Sequence, residues 1–397
     1  YPAFYVASFQ PQQVLKGQLK SGTSAIFFRK SLVVVQFVFS IVLIISTITV
    51  YQQMHFINHK DIGLKKEQVL YASLKGDMNL HREAIREVLT KDPAIEFVSF
   101  ASANPISFGN STSSVQWEGK DPNTQILFSN FSVDPDFIST LGMKLVGGRS
   151  FEKERLADTL NFIINETAAT AMGFDDAVDQ PLTIWNERKG KIIGVVKDFH
   201  FQSLHNKVEP LFMLYDPNTY YNIFVHFKEG KQSDAIASLE NVWKKYAAAY
   251  PYEYTFLQDD WDSLYKSDKN TGTLFNYFTC LSLIISSLGL FGLSAYAAQQ
   301  RTKEIGVRKV LGAQSVQLVA GMCKEFVVLV LLAILVGCPL GYWLMNNWLA
   351  SYAYHIQISI WILALAAAIS TVVSLLTVSY HSLKAAQADP VHALRYE

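Results

Sequence analysis

The chain has 397 residues, half of them hydrophobic and 17% charged, with 34 cations against 34 acids and a mean hydropathy of +0.15. That is too apolar for an ordinary soluble protein and too charged for one lying wholly in a bilayer. The apolar residues are concentrated in runs, and those runs set the architecture.

Residues 1–30 hold Lys16, Lys20, Arg29 and Lys30 and no acid. Residues 31–54 then carry no Asp, Glu, Lys or Arg. A span needs roughly 20 apolar residues at about 1.5 Å each, so this run is the first transmembrane helix. It lies behind thirty residues and lacks a small-residue cleavage site, so it does not read as a signal peptide.

From about 55 to 270 the pattern changes to that of a folded domain. Strand-like runs fall at 68–74, 96–102, 125–133, 161–165, 191–196, 222–227 and 252–257. A helix is predicted over 79–91, with Ala84, Ile85, Val88 and Leu89 as its apolar stripe. A second is predicted over 233–250, with Ser233 or Asp234 as N-cap and Pro251 as the stop. Gly/Pro/Asn-rich breaks near 104–113, 119–124 and 147–150 suggest a two-lobed α+β domain in which about 104–190 is an insertion.

Charge-free runs return at 271–300 and 326–383, the second long enough for two spans, 326–346 and 359–381, around a loop at 347–358. The expected fold is therefore a membrane protein of four transmembrane α-helices with a large α+β extracytoplasmic domain inserted between helices 1 and 2. Segment 301–325 holds five cations and two acids, and the tail 382–397 adds Lys384 and Arg395. Orientation follows from these Lys and Arg residues: N-terminus, C-terminus and 301–325 inside, and the large domain outside. That domain keeps 30 of the 34 acids and 23 of the 34 cations, and long domains cross regardless of such charge. Cys280, Cys323 and Cys338 lie in or beside spans, so the inserted domain folds without disulfides.

Several motifs allow two readings. Gly337 and Gly341 have helix-packing spacing, suiting either a dimer face or close packing within one bundle, with Pro339 expected to kink the helix. Asp198, His200, His205 and Glu209 are all able to bind metal, but a five-residue spacing of the histidines suits neither one helical face nor one strand face. A structural turn joining strands is the preferred reading. His55 and His59, four apart beyond the first span, suit an interfacial stalk. Trp243, Tyr246 and the run 250–256 read as core and sheet surface.

An engine of the chain's own is missing from the motifs. The Gly-Lys pairs at 119–120, 190–191 and 230–231 lack the frame of a phosphate-binding loop. No zincin, C-x-x-C or nucleophile-elbow pattern occurs, and the spans lack the buried charges of ion-coupled carriers. In 301–319, Arg301, Glu304 and Arg308 fall on one helical face, with Val307, Val310 and Leu311 on the next. Glu304 and Arg308 are spaced to pair, Gly312 permits a turn, and Ser315 can cap the following helix. Spacing alone leaves two functions open, a topology signal or a docking helix.

"RTKEIGVRKVLGA" (301–313) resembles the cytoplasmic signature of the MacB/FtsX/LolC-type permeases of ABC transporters, and "ADPVHALRYE" (388–397) resembles their C-terminus. Segments 133–151, 163–174 and 191–201 are similar to recurring parts of that family's periplasmic core domain. The resemblance implies a non-catalytic inner-membrane subunit that binds no cofactor itself, with ATP and Mg held by a cytoplasmic ABC ATPase. It assigns the ATPase-coupling role to Arg301, Lys303, Glu304, Ile305, Val307, Arg308, Lys309, Leu311 and Gly312. It also implies a second permease unit, as a dimer or a tandem repeat, and allows a periplasmic or outer-membrane partner; no nucleic acid is expected. Pro11, Leu15 and Lys16 echo Pro390, Leu394 and Arg395, so 1–20 is expected to be the tail of a preceding copy. The function expected is export or efflux by transmitted motion, the alternative being an FtsX-like switch acting on an outside partner. A membrane-anchored exported enzyme is a third class, for which 53–270 offers no motif.

Overall fold

A computed structural model describes residues 23–311 and 313–387. Pro11, Leu15, Lys16, Gly312, Pro390, Leu394 and Arg395 lie outside the described residues. The chain divides into a helical unit, made of residues up to 55, 268–350 and from 356 on, and an inserted domain, Phe56–Ser267 with Ser351–His355.

Helix α1 (Thr23–His59) is apolar round most of its circumference, as a helix in lipid must be. The inserted domain then runs β1 (Val69–Ser73), α2 (Arg82–Thr90), β2 (Ile95–Ala101), β3 (Ser111–Thr112), β4 (Val115–Trp117), β5 (Phe128–Ser132), α3 (Phe137–Thr140) and β6 (Leu145–Gly148). It continues with β7 (Phe162–Asn165), α4 (Glu166–Met172), β8 (Pro181–Ile184), β9 (Arg188–Val196), β10 (Leu211–Leu214), β11 (Asn222–Phe227), α5 (Gln232–Tyr246), β12 (Thr255–Phe256) and α6 (Leu257–Leu264).

One lobe is an antiparallel sheet in the order β12-β1-β11-β2, against which α2 and α5 pack. Ile85 and Leu89, four apart, are the buried face of α2. Ala84 and Val88, expected in the same stripe, are exposed. Helix α5 begins after Lys231 with no side-chain cap, so neither Ser233 nor Asp234 is its N-cap; Asp234 instead pairs with Lys231 at 3.0 Å. It ends at Tyr246, before Pro251 is reached.

The other lobe is a mixed sheet in the order β3-β5-β10-β7-β9-β8-β4, with β6 paired to β9. Its core joins Phe128, Phe162, Ile164, Ile192, Phe212 and Leu214 to Ala168 and Met172 of α4. The lobe reaches Leu214, beyond the expected end near 190, because β10 returns to fill the gap between β5 and β7. Asn165 holds that return in place. Its buried side chain accepts from the N–H groups of Ala168 and Leu211, both at 2.9 Å, and donates to the Glu209 carbonyl at 3.0 Å. One amide thus caps α4 and starts β10.

The lobes meet where Ala101 bridges Val133. Arg86 of α2 fastens them there, donating to the carboxylates of Asp134 and Asp136 and, at 2.8 Å, to the Val98 carbonyl.

The helical unit adds α7 (Lys266–Gln300), α8 (Thr302–Val310), α9 (Ser315–Leu349) and α10 (Ile360–Gln387) to α1. Four of its helices are long and apolar enough to cross a membrane: α1, α7, α9 and α10. Helices α1 and α7 are joined by hydroxyl pairs, Ser40 with Ser282 at 2.7 Å and Ser286 at 2.9 Å, and Thr47 with Thr279 at 2.8 Å. In a bilayer, which offers no competing water, such pairs hold helices together. Pro339 sits within α9, which runs on to Leu349.

The two glycines of α9 face α1. A Cβ on Gly337 would lie 3.1 Å from Ile41 Cβ, and one on Gly341 would lie 2.7 Å from Ile45 Cδ1. Packing within one bundle therefore occupies this face. The longer contact is the more costly to violate, because Cβ of Ile41 is fixed to the backbone whereas Cδ1 of Ile45 can rotate away. Gly337→Ala is expected to cost about 1–3 kcal/mol and Gly341→Ala less. Melting temperatures in detergent check this, and a loss that varied with protein concentration would contradict an intrachain contact.

Candidate coupling site

Helix α8 lies between α7 and α9, and its charges follow the helix dipole: Glu304 in the first turn, Arg308 and Lys309 in the last. Glu304 and Arg308 form the expected i,i+4 pair at 2.7 Å. Val307, Val310 and Leu311 are exposed, Leu311 by 80%. The helix thus presents an ion pair and a free apolar edge together.

Arg301 departs from the face assigned to it. It occupies the N-cap position of α8 and its guanidinium donates to Glu325 of α9. Lys30 of α1 approaches the same carboxylate at 3.8 Å. One acid at the edge of a charge-free span therefore gathers two cations, one from α1 and one from the start of α8. Beneath the turn, Ala298, Leu318 and Met322 form a small apolar cluster. Helix α9 starts at Ser315 with Gln314 at its N-cap position, so the cap expected at Ser315 falls one residue earlier and involves no side-chain bond. The backbones of Lys303 and Ile305 lie within α8.

Sequence reasoning missed Glu325 and Lys30. A signal existed: an acid directly preceding a charge-free span needs a counter-charge near the interface.

The histidine-bearing segment 198–209 is structural. Asp198 accepts from the N–H and Oγ1 of Thr167, at 2.9 and 2.6 Å, capping the first turn of α4. His200 meets the Tyr354 ring edge-to-face at 4.7 Å. His205 stacks on Tyr352 at 3.7 Å, and Glu209 accepts from Ser129 and Gln202 at 3.3 Å. The four side chains share no common neighbour among these contacts.

The family model of the MacB-like periplasmic core domain matches residues 33–241. That of the FtsX-like permease C-terminal region matches 276–390. The chain belongs to the ABC-transporter permease family of MacB, YknZ and FtsX type.

This permease is 23% identical over 275 residues to an uncharacterized ABC transporter permease, YknZ of Bacillus subtilis strain 168, covering 67% of its own length and 69% of YknZ. It is 25% identical over 297 residues to the macrolide export ATP-binding/permease protein MacB of Escherichia coli K12, covering 69% of its own length. It spans only 44% of that longer protein. Among solved structures, the periplasmic region of MacB from Actinobacillus actinomycetemcomitans matches 53% of the permease and 98% of that chain, at 14% identity and a TM-score of 0.36. The extracellular domain of YknZ matches 47% and 97%, at 13% and 0.33.

Two consequences are measurable. Arg301→Gln and Glu325→Gln should each destabilise the permease, and the double variant should lose less than the sum, with a coupling of about 0.5–1 kcal/mol for a half-exposed pair. Additive losses in detergent unfolding would show that the contact contributes nothing.

The second concerns His200. Burial, and then the nearby Lys60 cation, push its imidazole from 6.5 down to about 4, against the pull of Asp198 and Asp61. Between those values the unfolded chain takes up a proton that the folded one refuses. The stability from neutral His200 is therefore complete above pH 6.5 and lost as pH falls towards 4. Unfolding midpoints of the parent should fall more steeply across that range than those of His200→Phe.

Proposed function

We propose that this permease is the inner-membrane subunit of an ABC export system, and that α8 is the element on which a cytoplasmic ATPase acts. The observation that carries this reading is the construction of α8. A nine-residue helix offers an ion pair beside exposed Val307, Val310 and Leu311, while its root is clamped to α9 and α1 through Glu325. A helix merely marking topology needs cations inside but no clamp and no exposed apolar edge.

On this reading the termini and α8 face the cytoplasm and the inserted domain faces the periplasm. ATP and Mg are bound by the ATPase. Closure of two ATPase subunits displaces α8, and the continuous helices α1 and α7 carry the displacement outward. A second permease unit completes the assembly. The cargo is handled by the inserted domain; macrolide export, in the name of MacB, supports efflux as its class.

The test is co-purification from membranes, with any ATPase identified by mass spectrometry. The parent should retain the ATPase, and Glu304→Lys combined with Arg308→Glu should reduce its recovery at least tenfold at unchanged melting temperature. Equal recovery with both forms, or none with the parent in gentle detergent, would sink the coupling role of α8.

A further inference from the structure

The segment 198–206 touches every stretch of chain that enters or leaves the inserted domain. The first is the stretch after α1. The N–H of His200 donates to the Ile62 carbonyl at 2.8 Å. Gly63, at φ +81°, lies so close that a Cβ there would stand 2.6 Å from the Asp198 carbonyl. Only glycine allows that approach.

The second is the approach to α7. The N–H of Leu204 donates at 2.7 Å to the hydroxyl of Tyr265, the residue directly after α6 ends at Leu264. Tyr265 is wholly buried, as is Leu204, and its ring packs on Trp261 at 5.4 Å.

The third is the link between α9 and α10. Ala353 and Tyr354 donate their N–H groups to the carbonyls of His205 and Leu204, both at 3.2 Å, in the manner of a short ladder. The His205 ring stacks on Tyr352 and its Nδ1 lies 3.0 Å from the Ser351 carbonyl, so the donor tautomer carries its proton on Nδ1. Tyr354 is gripped from two sides, by the His200 ring and by the Lys60 cation 5.0 Å from its centroid. The base of the segment is fixed in turn, because Asp198 caps α4 of the mixed sheet.

We propose that residues 198–206 are a mechanical joint: they fasten the extensions of α1 and α7 and the α9–α10 link to the core of the inserted domain, so that all four membrane helices load it together. This deepens the transmission reading of Proposed function and rests on it. A domain carried only on α1 and α7 could pivot about two attachments. A third attachment removes that freedom, so displacement at the helix ends is delivered to the sheets instead of being lost in rotation. Within the joint, His205 and Tyr354 are positioning residues for the α9–α10 link, and Tyr265 is the one for α7.

The test uses hydrogen–deuterium exchange on the intact permease in nanodiscs, with the ATPase recovered as above and ATP plus vanadate as the probe. In the parent, amides of 353 and 354 should exchange at least tenfold more slowly than those of an open loop. ATP plus vanadate should alter exchange in β5, β7 and β10. His205→Ala with Tyr354→Ala should release 353 and 354 and abolish the response in those strands, while their basal exchange stays unchanged, showing an intact fold. Tyr265→Phe, which removes a single oxygen, should weaken the response several-fold if the double variant proves too disruptive.

Rapid exchange at 353 and 354 in the parent would overturn the joint whatever becomes of the coupling reading. So would a strand response that survives in the variants. A parent that binds the ATPase but shows no strand response overturns force transmission itself, and the joint's role with it. Failure to recover any ATPase sinks the coupling reading, and the fastening is then decided by amides 353 and 354 alone.

Discussion

A bilayer interior gives a charge nowhere to be solvated, and that constraint orders this protein. The spans are cleared of Asp, Glu, Lys and Arg, so every ionic contact is displaced to a helix end or into the inserted domain. What remains inside the spans is shape and hydroxyl chemistry: Gly337 and Gly341 against α1, and the Ser40 and Thr47 pairs with α7. The ionic contacts around the spans sit accordingly at helix ends, where Arg301 and Lys30 meet Glu325.

The features legible in the sequence were those set by local spacing. Charge-free runs gave four spans because length and polarity suffice for that inference. Glu304 and Arg308 were legible as a pair because one helical turn separates them. The two-lobed domain could be anticipated from strand-like runs and breaks, but β10 could not. Leu211–Leu214 is buried on both faces, so it lacks the alternation that marks a half-exposed strand. Its place in the sheet depends on Asn165, 46 residues earlier.

The same limit explains the candidate site. Arg301 looked like part of the α8 face because helical geometry alone was applied to it. Its partner, Glu325, lies 24 residues away on another helix, and a tertiary ion pair takes precedence over helical phase at a position that only caps the helix. In 198–209, the irregular histidine spacing pointed to a turn, but nothing local indicated what the turn was for. His205 finds Ser351 across 146 residues of sequence. A contact of that span leaves no periodic trace.

These contacts also bear on why the inserted domain is two-lobed. A rigid block would move as a whole when its attachments move. Here α2 reaches the other lobe through Arg86, whose buried partner Asp134 is held at the seam between the lobes, and through Glu83, which pairs with Lys153. A buried ion pair of this kind contributes little net stability, since desolvation offsets its attraction, but breaking it leaves a charge stranded. It therefore favours one arrangement of the lobes without making the domain much more stable. The seam thus selects how the two lobes face one another, and the one-turn spacing of Glu83 and Arg86 on α2 is what brings both of its contacts there.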